Sequence, residues 1–488
     1  MTFFTTFVVD IYNDTCIMSL LSNPIVKMAI ISDLHVMAPQ LIVKDGDAME
    51  EYLSRDRKML RESAEILDTL VHDIIQQKPH LVLVTGDLTK DGERVSHELV
   101  ATKLYQLLDA GIEVLVVPGN HDINNPDAKV FDGEQTHYTD TISRNEFAEI
   151  YHDMGYDGQS QRNDETLSYR RDVNDRLTIL AIDACMDRLN TFVSRGDAAD
   201  HTKASGSLAA STQQWLVEQA REATSSGRHV IAMMHHHLVP HFHMEETLAA
   251  PYMVDESGQL CHQLIDAGVH VIFTGHLHIS DISQTTHRSG EMVEIATAAA
   301  VGYPCQWRMA TCNTAAGKMQ LRTITLHSLP SDPEFTERAR EVFKNCIPTM
   351  TRGVLTRYWS DISQAIDNYR HKHPHIMRYI TLPDTPEGIA KLLLAPLQEP
   401  VTQAYIAFAE GNEGGQDNSR LIEQLVKGVD KVVDQTVGGI LKPLAKAALH
   451  LRIYRTFKLV LRSILEDRND IGTNHEAIIN DHTAIIKL

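Results

Sequence analysis

Short apolar runs recur along the first two thirds of the chain at intervals that suit a layered α/β fold. Each run is rich in Val, Ile, Leu or Met and is typical of a buried strand. The runs are MAIIS (28–32), LVLVT (81–85), VLVV (114–117), LTILAI (177–182), VIAMM (230–234), VHVIF (269–273), MVEIAT (292–297) and LRTITL (321–326). Because the runs are apolar on both faces, they predict sheets covered by helices.

The segments between the runs carry helical periodicity. After the first run, apolar residues recur at spacings of three and four, and they are Leu60, Ala64, Leu67, Val71 and Ile74. This helix is predicted to end near Pro79. Further helices are predicted around 99–108, ending at Gly111, and at 213–223, so the chain opens with a β-α-β-α-β series.

The pattern changes twice along the chain. Residues 124–168 are polar, with one short helix predicted at 147–152, and we interpret them as an insertion over a site. Beyond about residue 330 the strands stop and helical patterns replace them. We therefore predict an N-terminal extension at 1–27, an α/β domain at 28–330 and a helical C-terminal domain at 331–488.

Composition and charge limit the classes of partner. A chain of 488 residues is too long to form one compact core. Its content of 43% hydrophobic and 23% charged residues is ordinary for a globular protein. A net charge of −20 without a basic run disfavours nucleic acid and anionic membrane surfaces as partners. No apolar run reaches the length of a membrane span, and the first 26 residues lack the basic start of a secretory signal.

Cysteine usage indicates the compartment. Six cysteines lie scattered along the chain without CxxC spacing, at Cys16, Cys185, Cys261, Cys305, Cys312 and Cys346. This distribution disfavours a zinc knuckle or a disulfide framework. We therefore expect a reducing compartment, the cytoplasm.

Residue types that bind metals follow directly after five of the strands. In strand order they are Asp33 and His35, Asp87, Asn120 and His121, His235, and His276 and His278. In an open α/β sheet the carboxyl ends of parallel strands converge on one crevice. The glycines before Asp87, Asn120 and His276 are expected to allow the sharp turns that point these side chains into it.

Each motif alone has an ordinary structural explanation. DLH and GDLT also occur as exposed turns or helix caps, and Asn-His in GNHD could simply close a turn. TGHLH fits a metal pair better, because strand-like alternation puts His276 and His278 on the same side. Their joint occurrence favours a shared site, because all five motifs are present in one chain and each directly follows a strand that is predicted to be apolar.

In these motifs the chain resembles the calcineurin-like metallophosphoesterase superfamily. The family motifs DxH, GDxx, GNHD/E, an isolated His and GHxH stand here as DLH, GDLT, GNHD, MMHHHL and GHLH. The resemblance covers about 28–330 and implies a two-sheet α/β/β/α sandwich. SDLHVMAPQL, and GDLTKDGERVSH followed by GNHDINNP, are also similar to the bacterial cyclic-nucleotide-phosphodiesterase-like branch. GDLT lacks the GDxVDRG of protein serine/threonine phosphatases, which counts against a phosphoprotein phosphatase.

The resemblance implies a centre of two divalent metal ions, for which the donor types suit Mn, Fe, Zn or Ni alike. The implied ligands are Asp33, His35 and His278 for one ion, Asn120, His235 and His276 for the other, and Asp87 as the bridge. Metal-bound hydroxide would be the nucleophile. His121 would protonate the leaving group, a role that typically contributes about 10²–10⁴-fold, and Asp122 would support the centre through hydrogen bonds.

The stretch HHHLVPHFH (235–243) contains more histidines than the centre needs. His235 stands where the family has its ligand. The others are His236, His237, His241 and His243, and we expect them to be partly exposed loop residues, although His241 or His243 could line a substrate crevice.

These features predict a phosphoesterase acting on a small phosphodiester or phosphomonoester, with cyclic nucleotides among the candidates. A nuclease of the same superfamily and a non-catalytic binding or scaffold protein are the alternatives. The net charge disfavours the first, and the intact ligand positions disfavour the second. Residues 429–461 are apolar enough for a buried or dimer-forming helix pair, so the C-terminal helices either cover the crevice or pair two copies of the chain.

Overall fold

The computed structural model describes residues 24–190, 204–242, 245–357, 359–411, 418–439, 443–444 and 478–488. Most of the predicted N-terminal extension and His243 lie outside the described residues. The strands, numbered along the chain, are β1 (Ile25–Ile31), β2 (Ile42–Lys44), β3 (Leu81–Val84), β4 (Glu113–Val116), β5 (Lys129–Asp132), β6 (Gln135–Tyr138), β7 (Gln161–Arg162), β8 (Tyr169–Asn174), β9 (Leu177–Ile182), β10 (His229–Met234), β11 (Val269–Thr274), β12 (Asp281–His287), β13 (Gly290–Ala296), β14 (Gln306–Asn313), β15 (Lys318–Thr325), β16 (Ile478–Asn480) and β17 (Thr483–Lys487).

The α-helices of the described residues lie between these strands and in the C-terminal third. They are α1 (Asp47–Leu53), α2 (Ser63–Gln77), α3 (Arg94–Asp109), α4 (Arg144–Ile150), α5 (Ala210–Ser225), α6 (Glu245–Leu248), α7 (Ser257–Asp266), α8 (Phe335–Arg357), α9 (Trp359–Lys372), α10 (Pro374–Met377), α11 (Pro386–Glu410) and α12 (Asn418–Thr436).

Two seven-stranded sheets form the body of the protein. The first has the order β16-β17-β15-β14-β1-β3-β4, in which β1, β3 and β4 are parallel. The second has the order β12-β13-β11-β10-β9-β8-β7, in which β9, β10, β11 and β13 are parallel. The strands that precede the five motifs all belong to these two parallel groups.

Helices cover the outer face of each sheet, which makes the layers α/β/β/α as predicted. On β10, Met233 belongs to the core between the sheets, together with Ile30 of β1. The neighbouring Ala232 faces the other way and packs in a separate core with Leu216 of α5 and Leu264 of α7. On the opposite side α2 and α3 contribute apolar residues to the core of the first sheet. Both faces of these strands are buried, and this explains why the strands are apolar on both faces.

The helix predicted before Pro79 is present as α2. Its buried face includes Leu67, Val71 and Ile74, and it ends at Gln77, followed by Lys78 with a left-handed φ of 51°. Leu60 lies just before it, in a short 3₁₀ turn. The helices predicted around 99–108 and 213–223 are α3 and α5, each longer at its N-terminal end. Periodicity therefore located the helices, whereas it did not fix their ends.

The segment 124–168 contains β5, β6 and α4, and β5 joins β2 and β6 in a third sheet. The N–H of Ile142 donates to the carbonyl of Gly92 at 3.3 Å, and Thr141 forms a bridge with Glu93. The segment therefore lies against the loop that follows β3 and GDLT.

Helices dominate beyond residue 331, but the prediction that strands stop there is wrong. β17 pairs antiparallel with β15, with Ala484 opposite Leu321, so the end of the chain extends the first sheet. A single short strand gives a weak sequence pattern, and its partner is more than a hundred residues away. In the same region the N–H of Ser280 donates to the carbonyl of Ala409 at 3.2 Å, which joins α11 to the loop after GHLH.

The apolar segment 429–461 is only partly described, because α12 ends at Thr436 and most residues beyond 439 lie outside the described ranges. Within those ranges, the structure contains no helix with both the length and the apolar character that crossing a membrane requires.

Candidate metal centre

The first predicted ligand set comes together from two sheets. Asp33 and His35 follow β1, and His278 follows β11. Asp33 Oδ1 lies 3.1 Å from His278 Nε2, and His278 Nε2 lies 3.1 Å from His35 Nε2. All three residues are buried. Two ring nitrogens that face each other beside a carboxylate form a set of donors directed at one point.

The second set lies beside the first. Asp87, His235 and His276 each offer a ligand atom within 4.8 Å of the other two. Asn120 Oδ1 lies 3.1 Å from His235 Nε2, so the amide belongs to the same group. The other ring nitrogen of His235, Nδ1, lies 2.9 Å from the carbonyl of Thr85, and this contact orients Nε2 toward the group.

Asp87 lies between the two sets. Its Oδ2 atom is 3.5 Å from Nε2 of His35 and 3.3 Å from Nε2 of His235. Its Oδ1 atom accepts the backbone N–H of His121 at 2.9 Å. One carboxylate oxygen therefore faces a histidine of each set, which is the arrangement that a bridging ligand requires.

Backbone strain is concentrated at the predicted ligands. Nine non-glycine residues of the described chain have positive φ, and five of them are Asp33 (51°), His35 (37°), Asp87 (51°), His276 (69°) and His278 (61°). Each such residue costs on the order of 1–3 kcal/mol and persists only where the surrounding structure enforces it. Strained residues of this kind cluster at functional sites, and these five are also close together in space.

At two glycines of the motifs there is no room for a side chain. A Cβ on Gly119 would lie 2.1 Å from Oδ1 of Asp87, and a Cβ on Gly275 would lie 1.9 Å from Oγ of Ser32 and 2.5 Å from Oδ2 of Asp33. Neither glycine has positive φ, so close approach rather than turn formation explains them. Gly86, with φ +96°, does serve the predicted sharp turn.

Three of the four predicted histidine ligands are neutral near pH 7, and the fourth, His235, is not. Burial acts to lower the pKa of His235, but Asp87 outweighs it and raises the pKa to about 9, so binding of a metal ion there would release a proton. Burial lowers the pKa of His35, His276 and His278, so these rings are neutral near pH 7 and can offer a lone pair. Burial acts to raise the pKa of Asp87, but His235 and other nearby histidines hold it well below its usual range. Neutral imidazoles, an amide oxygen and ionised carboxylates are donors that divalent transition metals accept, so the residues fit two such ions.

His121 lies at the edge of the centre and is held by its other ring nitrogen. Its Nδ1 lies 2.9 Å from Oδ1 of Asp91 and 2.8 Å from the carbonyl of Lys90. Its ring packs edge-on against His35 at 4.8 Å. Burial opposes protonation of His121, but Asp87 and Asp91 outweigh it and raise the pKa to about 9.

The sequence analysis missed Asp91 and Lys90. Lys90 is fully buried, where it forms ion pairs with Asp91 and, at 3.1 Å, with Glu93. The available signal was the KDGE directly after GDLT, because charged residues so close to a buried strand need partners.

Asp122 connects the turns of two motifs, as expected. Its carboxylate accepts the backbone N–H groups of Leu88 at 3.1 Å, Thr89 at 2.9 Å and Gly119 at 2.8 Å. These bonds fix the loop that carries Asp87 against the loop that carries His121.

The expectation for the additional histidines is wrong where the structure describes them. His236, His237 and His241 are buried rather than partly exposed, and His243 lies outside the described residues. His236 Nε2 donates to the carbonyl of Ala204 at 2.9 Å, and His237 Nε2 lies 2.9 Å from the carbonyl of Gly275. The loop after β10 folds back under the centre, which the sequence pattern could not show.

A buried acidic network supports this loop. Glu294 on β13 accepts the backbone N–H groups of Leu238 at 2.9 Å and Val239 at 2.6 Å, and the hydroxyl of Thr274 at 2.8 Å. Its Oε1 also lies 3.3 Å from Nε2 of His241. Glu294 therefore ties the loop of His235 to β11 and β13.

A two-sheet sandwich with Asp and His groups converging at its strand ends defines the class of the metallophosphoesterases. The model of the calcineurin-like phosphoesterase family matches residues 26–280, just over half of the chain. The chain therefore belongs to the calcineurin-like phosphoesterase family and is a metal-dependent phosphoric ester hydrolase.

Solved structures of related proteins are similar at low identity. A dimetal phosphatase from Danio rerio is 17% identical with a TM-score of 0.43, over 62% of this chain and 98% of that chain. The sulfate thiohydrolase SoxB of Thermus thermophilus, in complex with glycerol, is 14% identical with a TM-score of 0.31, over 66% of this chain and 60% of that chain. No curated protein matches the sequence significantly. Neither structural likeness is close enough to indicate a substrate.

Proposed function

We propose that the chain hydrolyses a small phosphoester at a dinuclear metal centre. The proposed ligands are Asp33, His35 and His278 for one divalent ion, Asn120, His235 and His276 for the other, and Asp87 for both. The observation that carries this assignment is the position of Asp87 Oδ2, 3.5 Å from His35 Nε2 and 3.3 Å from His235 Nε2.

The chain contributes positioning and a proton to the reaction. When bound, the two cations would neutralise charge on the phosphoryl group and lower the pKa of a nearby water. Asp91 and the carbonyl of Lys90 hold Nδ1 of His121, so Nε2 is the ring atom that faces the reacting group. As the bond from phosphorus to the leaving oxygen breaks, that oxygen takes the proton from Nε2.

The substrate is proposed to be a small phosphomonoester or phosphodiester, with cyclic nucleotides among the candidates. The net charge of −20 without a basic run supports a small substrate over nucleic acid. The similarity to the cyclic-nucleotide-phosphodiesterase-like branch rests on the sequence of the DLH and GDLT loops and of GNHDINNP.

The test is a screen of the Mn²⁺-loaded full chain against phosphomonoesters, cyclic nucleotides, dinucleotides and phospholipid head groups, with single-stranded and duplex DNA alongside. Faster turnover of a small ester than of DNA supports the proposal, and the reverse order favours a nuclease. Protein that binds two metal ions and hydrolyses none of these compounds would favour a non-catalytic role.

We also propose that the C-terminal helices cover the crevice and that the α/β domain extends over about 28–330. The contact of α11 with Ser280 supports this, as does the packing of Phe408 against Phe242 at 5.6 Å. A cytoplasmic location is proposed because the cysteines in the described residues are buried and form no disulfide there.

A further inference from the structure

His237, His241 and Glu294 form a second cluster of metal-type side chains, made of residues that are not ligands of the dinuclear centre. Each of the three offers a ligand atom within 4.8 Å of the other two. His237 and Glu294 are fully buried, and His241 is 4% exposed. The two histidines belong to the stretch HHHLVPHFH, and Glu294 lies on β13. The cluster therefore uses two of the histidines to which the dinuclear centre gives no role.

A carboxylate holds the outer ring nitrogen of each histidine. Nδ1 of His237 lies 2.7 Å from Oε1 of Glu245, and Nδ1 of His241 contacts Oδ2 of Asp281. A histidine that binds a metal ion through one ring nitrogen commonly donates the other N–H to a carboxylate. Nε2 of each ring is therefore the atom left to face an ion.

The contact between His241 and Glu294 has the length expected for two ligands of one ion. Nε2 of His241 lies 3.3 Å from Oε1 of Glu294. A direct hydrogen bond between an imidazolium and a carboxylate is shorter, about 2.7–2.9 Å. Two atoms that bind one tetrahedral zinc ion at about 2.0–2.2 Å lie roughly 3.3–3.6 Å apart. The distance therefore favours two metal ligands over a hydrogen-bonded ion pair.

Without a metal ion, each ring would need a proton on both of its nitrogens. Nε2 of His237 faces the carbonyl of Gly275 at 2.9 Å, and Nε2 of His241 faces the carboxylate of Glu294. Both neighbours offer only lone pairs. Two imidazolium cations would then lie with ring centroids 4.4 Å apart in the protein interior, where like charges repel more strongly than in water. One divalent ion accepts both Nε2 lone pairs and leaves the rings neutral.

Buried neighbours enclose the cluster. The carbonyl of Gly275 lies beside Nε2 of His237, and the hydroxyl of Thr274 donates to Oε1 of Glu294 at 2.8 Å. Thr274 and Gly275 are both buried. An enclosed set of protein ligands is typical of a structural zinc site, whereas a catalytic site keeps one position for water or substrate. Imidazole ligands also suit zinc better than manganese, which prefers oxygen.

We propose that His237, His241 and Glu294 bind a structural zinc ion, with the carbonyl of Gly275 as the fourth donor. The ion fastens the loop that follows β10 to β11 and β13. It is additional to the two ions of the dinuclear centre and is counted separately from them.

The first experiment uses the wild-type full chain, purified from zinc-supplemented cultures and dialysed against Mn²⁺. Elemental analysis should find one zinc ion per chain besides the manganese. Crystals of this protein, measured on both sides of the zinc absorption edge, should show an anomalous peak about 2.0–2.2 Å from Nε2 of His237, Nε2 of His241 and Oε1 of Glu294. Zinc-free protein, or zinc peaks at the dinuclear centre alone, would overturn the proposal.

Variants test the assignment of the ligands. His237→Asn and His241→Asn should each lose the zinc ion and keep two manganese ions per chain. His270→Asn is the matched control, because His270 is a half-buried histidine of β11 whose Nδ1 lies 2.8 Å from the carbonyl of Glu291, and it should keep all three ions. Full zinc content in His241→Asn would contradict the assignment. If the two ligand variants do not fold, the anomalous peak in wild-type protein decides.

The result does not depend on the proposed phosphoesterase activity. Protein that hydrolyses no phosphoester would refute the proposed function, and the zinc peak would still show whether His237, His241 and Glu294 form a site. Conversely, an active enzyme with two manganese ions and no zinc would keep the proposed function and overturn the zinc site.

Discussion

The Nδ1 atom of His121 lies 2.9 Å from Oδ1 of Asp91 and 2.8 Å from the carbonyl oxygen of Lys90. Both neighbours can only accept, so Nδ1 carries a proton and donates it to them. The opposite nitrogen, Nε2, is therefore the atom left for proton transfer to a substrate. This fixes the orientation of the ring before any ligand arrives.

Replacement of His121 by Ala is expected to lower kcat by about 10²–10⁴-fold, because the leaving oxygen would depart without a proton. Metal content, measured by elemental analysis, should remain at two ions per chain, since His121 is not a proposed ligand. An unchanged kcat would contradict the assignment of His121 as the acid.

Asp91→Asn is expected to lower kcat by about 10–100-fold with a smaller change in KM, since the amide holds the imidazole less firmly and no longer favours its protonated form. Glu93→Gln is the matched control, because Glu93 is the other carboxylate partner of buried Lys90 and, among the described residues, forms no hydrogen bond or ion pair with His121. If both variants lose the same fraction of kcat, Asp91 acts only through the Lys90 ion pairs.

Asp87→Asn is expected to reduce the metal content from two ions to one or fewer per chain, because a neutral amide oxygen cannot compensate two cations. Elemental analysis after dialysis against Mn²⁺ measures this. Asp172→Asn, at a partly exposed carboxylate of β8, should retain both ions. Full occupancy in Asp87→Asn would show that the two ions do not share this residue.

The sequence located eight of the seventeen strands in the described residues, among them the five that precede the proposed ligands, because each of these five is a continuous apolar run. It did not reveal β17, whose partner β15 lies far away in the chain, so that no local periodicity reports the pairing. It also misjudged His236 and His237, because burial of a loop depends on tertiary contacts such as the bond between His237 and Gly275. For Asp91 the KDGE after GDLT indicated a buried charge, but only the folded structure shows the contact with His121.

Glu294→Gln is expected to destabilise the fold by about 3–5 kcal/mol, because it removes one charge from a buried, paired network. Glu294 is fully buried and accepts from two backbone N–H groups and the Thr274 hydroxyl. Chemical denaturation measures the loss. Glu149→Gln, at an exposed position of α4, should change stability by less than about 0.5 kcal/mol. Equal effects of the two substitutions would mean that the network contributes little to stability.

His97 should make the fold sensitive to acid. Its Nδ1 lies 2.9 Å from the hydroxyl of Tyr151 and its Nε2 lies 2.7 Å from the carbonyl of Asp122, so the buried ring is neutral, accepting at Nδ1 and donating at Nε2. Burial lowers its pKa from 6.5 to about 3. Between these values the unfolded chain binds a proton that the folded chain does not, so stability falls as pH decreases from about 6.5 toward 3.

The variant His97→Asn should therefore lose part of this pH dependence, by up to about 1.4 kcal/mol per pH unit in the free energy of unfolding. Denaturant titrations between pH 5 and 7 on wild type and variant give the two slopes, and their difference isolates His97 from other groups that titrate in both. His137→Asn, at an exposed position of β6, should leave the slope unchanged. Coincident slopes for wild type and His97→Asn would mean that the folded protein accepts a proton on this ring as readily as the unfolded chain does.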